Sequence, residues 1–100
     1  MKFIFSRPSL QDVAEIGNWI ARDDPVRADR FVEEIRTCCQ DLCAYPLAYP
    51  ILEDFPRQGV RHRVFGRYVI CYRIERDRVI VIAVLNGARD VTAILRKRLG

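Results

Sequence analysis

VRHRVFGRYVICYRIERDRVIVIAVLNG, residues 60–87, decides the fold. Val60 to Phe65 alternates around Arg61 and Arg63, and Gly66-Arg67 makes a tight turn. Tyr68, Ile70, Tyr72 and Ile74 then mark one face of a second strand. Glu75-Arg76-Asp77-Arg78 is the next turn, and Val79 to Leu85 runs seven apolar residues without a break. Such a run is the pattern of a central strand covered on both faces. Asn86-Gly87 stops it, so the stretch predicts three consecutive antiparallel strands.

Upstream, the period changes to that of helices. Lys2 to Ser6 reads as a short strand, and Pro8 sits where a first helical turn tolerates proline. Leu10, Val13, Ala14, Gly17, Ile20 and Ala21 follow the spacing of one helical face, which Ile16 and Trp19 widen. Asp23-Asp24-Pro25 interrupts that pattern: an Asp before Pro is an N-cap followed by a favoured first position, so a second helix starts at Pro25. Its stripe of Ala28, Phe31, Val32, Ile35, Cys38, Cys39 and Leu42 predicts an amphipathic helix of about five turns. So short a connection pairs the two helices antiparallel. Three prolines between Tyr45 and Pro56 read as an ordered surface loop. Downstream of the meander, Ala88 to Leu99 predicts a short helix ending in Arg96-Lys97-Arg98, where the helix dipole favours cations. The predicted architecture is α+β: an N-terminal strand, a helical hairpin, a three-stranded antiparallel meander and a short C-terminal helix, with helices packed on one face of the sheet. One domain is expected for residues 1–100.

Half of the 100 residues are hydrophobic and 30% are charged, a balance that excludes disordered and low-complexity classes. The net charge of +4 hides a division. Residues 1–56 hold six Lys/Arg against ten Asp/Glu, whereas residues 57–100 hold eleven against three, so a −4 half precedes a +8 half. A basic block of this kind points to an acidic or anionic partner. The N-terminal apolar run of three residues is too short for a secretory signal core or a membrane span, which predicts a soluble, cytoplasmic protein with no membrane partner. Cys38, Cys39, Cys43 and Cys71 are poorly spaced for disulfides or zinc, and read as small buried thiols with no metal or other cofactor.

Three stretches carry a family resemblance: Asp24-Pro25-Val26-Arg27-Ala28-Asp29-Arg30-Phe31, Phe65-Gly66-Arg67-Tyr68-Val69-Ile70-Cys71-Tyr72-Arg73-Ile74, and Val84-Leu85-Asn86-Gly87-Ala88-Arg89-Asp90. With them the sequence resembles the ParE/RelE superfamily of small bacterial toxins, and more specifically its ParE (plasmid-stabilisation) branch. Asn86 stands where the family usually has His. The resemblance implies the toxin of a type II toxin-antitoxin system, neutralised by a cognate ParD-like antitoxin with a ribbon-helix-helix domain. Operator DNA would be met only through that antitoxin. ParE members are understood to poison DNA gyrase, whereas RelE members cut messenger RNA on the ribosome.

The two branches ask for different chemistry. Cleavage through a 2′-hydroxyl needs a group to take its proton, a group to protonate the leaving oxygen, and cations for the phosphorane. Where RelE-like enzymes place a mid-strand Arg this chain has Val69, and residues 88–100 contain neither Tyr nor His, with Ile94 and Leu95 near the place of the aromatic. Arg89 is kept, and one arginine stabilises charge without moving a proton. The expectation is therefore a non-enzymatic gyrase inhibitor with no catalytic residues. The alternatives are a RelE-like ribosome-dependent endoribonuclease and a degenerate, non-toxic member that keeps only antitoxin binding.

Candidate residues for target or antitoxin binding are Arg61, Arg63, Arg67, Tyr68, Tyr72, Arg89, Asp90, Arg96, Lys97 and Arg98. Each has a plainer reading. Tyr68 and Tyr72 share a strand face and would stack on a partner or pack in the core. Arg89-Asp90 opens a helix as a local ion pair, the 96–98 cluster is a solvated helix end, and His62 is a solvated strand histidine.

Overall fold

A computed structural model describes residues 1–100 as β1 (Lys2–Phe5), α1 (Arg7–Ala21), α2 (Pro25–Ala44), β2 (Arg61–Phe65), β3 (Tyr68–Glu75), β4 (Arg78–Asn86) and α3 (Val91–Leu99). The strands form one sheet in the order β1-β4-β3-β2, with β1 parallel to β4 and the other pairs antiparallel. No helix is long and apolar enough to cross a membrane.

Local chemistry sets the element boundaries. The Ser6 hydroxyl caps α1 by accepting from the Ser9 N–H at 3.2 Å, and the Asp24 carboxylate caps α2 by accepting from Arg27 at 3.0 Å. Asp90 caps α3, accepting from Ala93 at 3.1 Å. That last helix begins three residues later than its apolar spacing predicts. The reason is a side-chain turn: the Asn86 Oδ1 accepts from the Ala88 N–H at 2.9 Å, which holds residues 86–88 out of helical geometry. In the β3–β4 hairpin both turn residues, Arg76 and Asp77, have positive φ (51° and 61°), the geometry whose twist matches the flanking strands.

The α1–α2 hairpin lies on one face of the sheet, where Val13, Ile20, Phe31, Ile35, Cys39 and Leu42 meet Ile70, Tyr72, Val79, Val81 and Val84. The predicted single helical layer is incomplete. Leu95 of α3, with Phe55 and Val60 of the connecting segment, covers Val69, Cys71, Ile82, Ala83 and Leu85 on the opposite face. A β-bulge explains how the apolar run of β4 serves both sides. Cys71 pairs with Ala83 but Tyr72 with Val81, so Ile82 is the extra residue and the alternation changes phase there.

The bulge also frees backbone groups. β1 pairs with β4 only as far as Val81. Beyond that point side chains take the place of a neighbouring strand: the Ser9 hydroxyl donates to the Val81 carbonyl at 2.9 Å, and Arg98 donates to the Ile82 carbonyl at 3.1 Å. The Val84 N–H donates to the Asp12 carboxylate at 3.0 Å. The Val81 and Ile82 carbonyls also accept from the Ser6 N–H and hydroxyl, at 2.9 and 3.4 Å, whereas the Val84 N–H relies on Asp12, and a buried donor left unpaired costs about 1–3 kcal/mol.

Candidate functional site

Two adjoining hollows lie where the β2–β3 turn and the exit of β4 meet the helical hairpin. Gly66 adopts φ +59°, a left-handed turn conformation that glycine enters without the Cβ penalty. The Arg67 carbonyl then accepts from the Gly87 N–H at 2.8 Å, locking the β2–β3 turn against the end of β4. Tyr68 follows, half-buried, with its ring 5.1 Å from that of Phe31 and tilted by 58°. This contact fixes the tyrosine as a wall between two hollows.

One hollow, of about 510 Å³, runs between Ile16 and Trp19 of α1 and the Arg67, Tyr68, Asn86 and Arg89 side of the sheet. The other, of about 500 Å³, lies between Arg27, Arg30 and Phe31 of α2 and the Phe65–Tyr68 turn. Trp19 is 61% exposed, so a large aromatic surface faces solvent at the rim. Four guanidinium groups line the two hollows: Arg27 and Arg30 one, Arg89 the other, and Arg67 both. The ion pairs of the molecule are Arg63–Asp41, Arg73–Glu75 and Arg98–Asp12, and none engages Arg27, Arg30, Arg67 or Arg89. Glu15 and Glu34 also line the hollows without closing an ion pair. An apolar floor with unpaired arginines at its edge suits an apolar side chain flanked by carboxylates.

The structure gathers Arg67, Tyr68 and Arg89 into this groove and sends the other predicted residues elsewhere. Tyr72 does not reach a binding surface: it is 0% exposed, and its hydroxyl donates to the Pro46 carbonyl at 2.7 Å. Burial pushes its phenol above the ordinary range. Arg61 donates to the Tyr49 carbonyl at 2.6 Å, which ties β2 to the preceding segment. Arg63 donates to the Cys38 carbonyl at 3.0 Å and lies 5.2 Å over the Tyr49 ring, joining β2 to α2. Arg98 is held by Asp12, Asp90 is the α3 cap, and Arg96 and Lys97 are exposed on α3.

Two of the groove's features were not legible as such in the sequence. Trp19 follows the apolar spacing of α1 and reads as part of its buried face, yet no element packs over it. Arg27 and Arg30 look like the solvated side of α2; only the fold brings them beside Arg67. The lone tryptophan at the flank of the apolar stripe was the one available signal.

No histidine or cysteine lines the two hollows, whose titratable groups besides the arginines are Glu15, Glu34 and Tyr68. His62 is half-buried on β2 and its Nδ1 has no hydrogen-bond partner. By strand alternation it faces away from Arg61 and Arg63. Burial raises the Cys39 and Cys71 thiols to about 12, which removes them as nucleophiles.

A sequence search of curated proteins finds no match. Among solved structures the chain is similar to one from the chromosomal ParDE TA system from P. aeruginosa, with a TM-score of 0.74 and 16% identity. That match covers 86% of this chain and 95% of the other. At such identity the likeness carries the fold, an α+β sheet with the hairpin on one side. Residues 3–91 match the family described as the ParE toxin of type II toxin-antitoxin system, parDE. The chain belongs to the ParE toxin family of type II toxin-antitoxin systems.

Proposed function

We propose that this toxin acts by binding, without catalysis, that its target is DNA gyrase in the cytoplasm, and that a ParD-like antitoxin with a ribbon-helix-helix domain neutralises it. The observation that carries the reading is the groove itself: Tyr68 divides two hollows, one rimmed by Trp19, that together hold four unpaired arginines against two carboxylates, with no histidine or thiol in their lining. Such a surface, apolar at its floor and cationic at its edge, suits the holding of a partner. An acidic segment of the antitoxin would compete for the same arginines, ordering on the toxin as it binds.

Purified protein is expected to inhibit gyrase supercoiling or to trap cleavage complexes, and the antitoxin to reverse this. Gyrase left untouched over a broad concentration range would reject the target. Codon-positioned cuts mapped by primer extension after brief expression would replace the reading with a ribosome-dependent endoribonuclease. Unimpaired growth on expression without the antitoxin would mark a degenerate member.

A further inference from the structure

The sheet has two edges, and the chain treats them differently. At β2 the edge is met by the preceding segment: the His62 N–H donates to the Pro50 carbonyl at 3.1 Å, and Leu52 donates to Val60 at 2.8 Å. At β1 nothing covers it. The Ser6 N–H donates to the Val81 carbonyl at 2.9 Å, so by the alternation of a parallel ladder the N–H and C=O of Phe3 and Phe5 point away from β4. None of these four groups bonds to a turn, loop or side chain. Proline, a bulge or an inward charge would blunt such an edge, and Phe3-Ile4-Phe5 has none of them.

The surroundings are basic. Lys2 lies in register beside Arg78, two like charges on neighbouring strands, and neither belongs to an ion pair. Arg76 stands at the adjoining turn. The nearby carboxylates are Asp77, in that turn, and Glu75, already held 3.2 Å from Arg73. Between the charges Ile4 is 42% exposed.

We propose that the outer edge of β1 is a second docking site, which takes an acidic, extended segment of a partner protein as a fifth strand of the sheet. Phe3 and Phe5 supply two donors and two acceptors, Ile4 supplies apolar contact, and Lys2, with Arg78 behind it at the same register on β4, selects a carboxylate at the facing end of the incoming strand. A second copy of the chain fits less well. Each copy carries +4, and a four-residue strand edge falls well short of the roughly 1,200 Å² that stable interfaces bury. The site lies at the far end of β4 from the groove, roughly 26 Å along the strand at its usual rise, so both can be occupied together. It stands or fails independently of the gyrase reading.

The test is a titration of the ¹⁵N-labelled full chain with a capped (Val-Glu)4 peptide, followed by amide shifts and hydrogen exchange. The Phe3 and Phe5 amides are expected to shift saturably and to exchange more slowly, while a (Val-Lys)4 peptide leaves them unchanged. Lys2→Glu/Arg78→Glu, two exposed positions with unchanged circular dichroism, should weaken binding about tenfold. Shifts gathered at Trp19 and Arg67, no shifts at millimolar peptide, or equal binding of both peptides would overturn the proposal. So would protection of Phe3 and Phe5 without peptide together with sedimentation as a dimer, which would assign the edge to a second copy.

Discussion

The carboxylate of Asp12 accepts two hydrogen bonds from Arg98, at 2.6 and 2.8 Å, and so joins the first helix to the last across the end of β4. Asp12 is 6% exposed and also accepts from the Val84 N–H at 3.0 Å. Removal of the arginine would leave a buried carboxylate with one main-chain donor. Arg98→Ala is therefore expected to cost about 3 kcal/mol, read as a lowered midpoint in urea unfolding. Arg98→Lys should recover only part of the loss, because an ammonium cannot supply the two-pronged contact. A full-strength midpoint in Arg98→Ala would show that the pair contributes nothing net.

The same measurement separates structural from functional tyrosines. Tyr72→Phe removes only the hydroxyl that donates to Pro46 and leaves the ring in the core. The expected loss is about 1 kcal/mol, which lowers Tm by roughly 4–8 °C in a domain of this size, with growth inhibition unchanged at permissive temperature. Loss of toxicity at full stability would give Tyr72 a role its burial does not suggest.

At the groove the expected signs are reversed. Trp19 is 61% exposed and Arg67 and Arg89 are exposed and unpaired, so Trp19→Ala, Arg67→Ala and Arg89→Ala should each change stability by no more than about 0.5 kcal/mol. Partner affinity should fall by about 2 kcal/mol or more for Trp19→Ala, close to thirtyfold in Kd by calorimetry against the antitoxin. Unaltered affinity and unaltered toxicity in all three variants would move the binding surface elsewhere.

Thiol titration gives a pH dependence of definite sign. Burial pushes Cys39 and Cys71 up to about 12 from an ordinary value of 9.0. Above the ordinary value the unfolded chain has released these protons while the folded chain still holds them. The contribution is therefore complete below about pH 9 and is lost as pH rises toward 12, at up to about 1.4 kcal/mol per pH unit for each thiol. Denaturant midpoints measured from pH 8 to 11 should fall less steeply for Cys71→Ala than for the parent chain. Equal slopes would place the thiol in contact with water.

Elements with local signals were readable. Asp24-Pro25 marks the start of α2 because capping and proline geometry act within one turn, and the break at Asn86-Gly87 marks the end of β4 for the same reason. Val79 to Leu85 already required cover on both faces. That α3 supplies part of this cover escaped prediction, since the apolar spacing of Val91, Ile94, Leu95 and Leu99 is the same whichever face receives it. The bulge at Ile82 has no signature in an unbroken apolar run. Arg61, Arg63 and Tyr72 read as binding residues because their carbonyl partners, on Tyr49, Cys38 and Pro46, are backbone atoms that every sequence has.

The order of strands and helices along the chain, the Asp24 cap of the second helix and the separation into an acidic and a basic half were determined by the sequence alone, because period, capping and charge are local or additive properties. Which arginines remain free was decided only by the tertiary structure. Arg98 finds Asp12 across 86 positions, whereas Arg67 and Arg89 line one hollow with Tyr68 and Glu15 and close no ion pair. A charge is silenced or left available by what the fold brings within a few ångströms of it, and that distance is set by sheet order and helix packing.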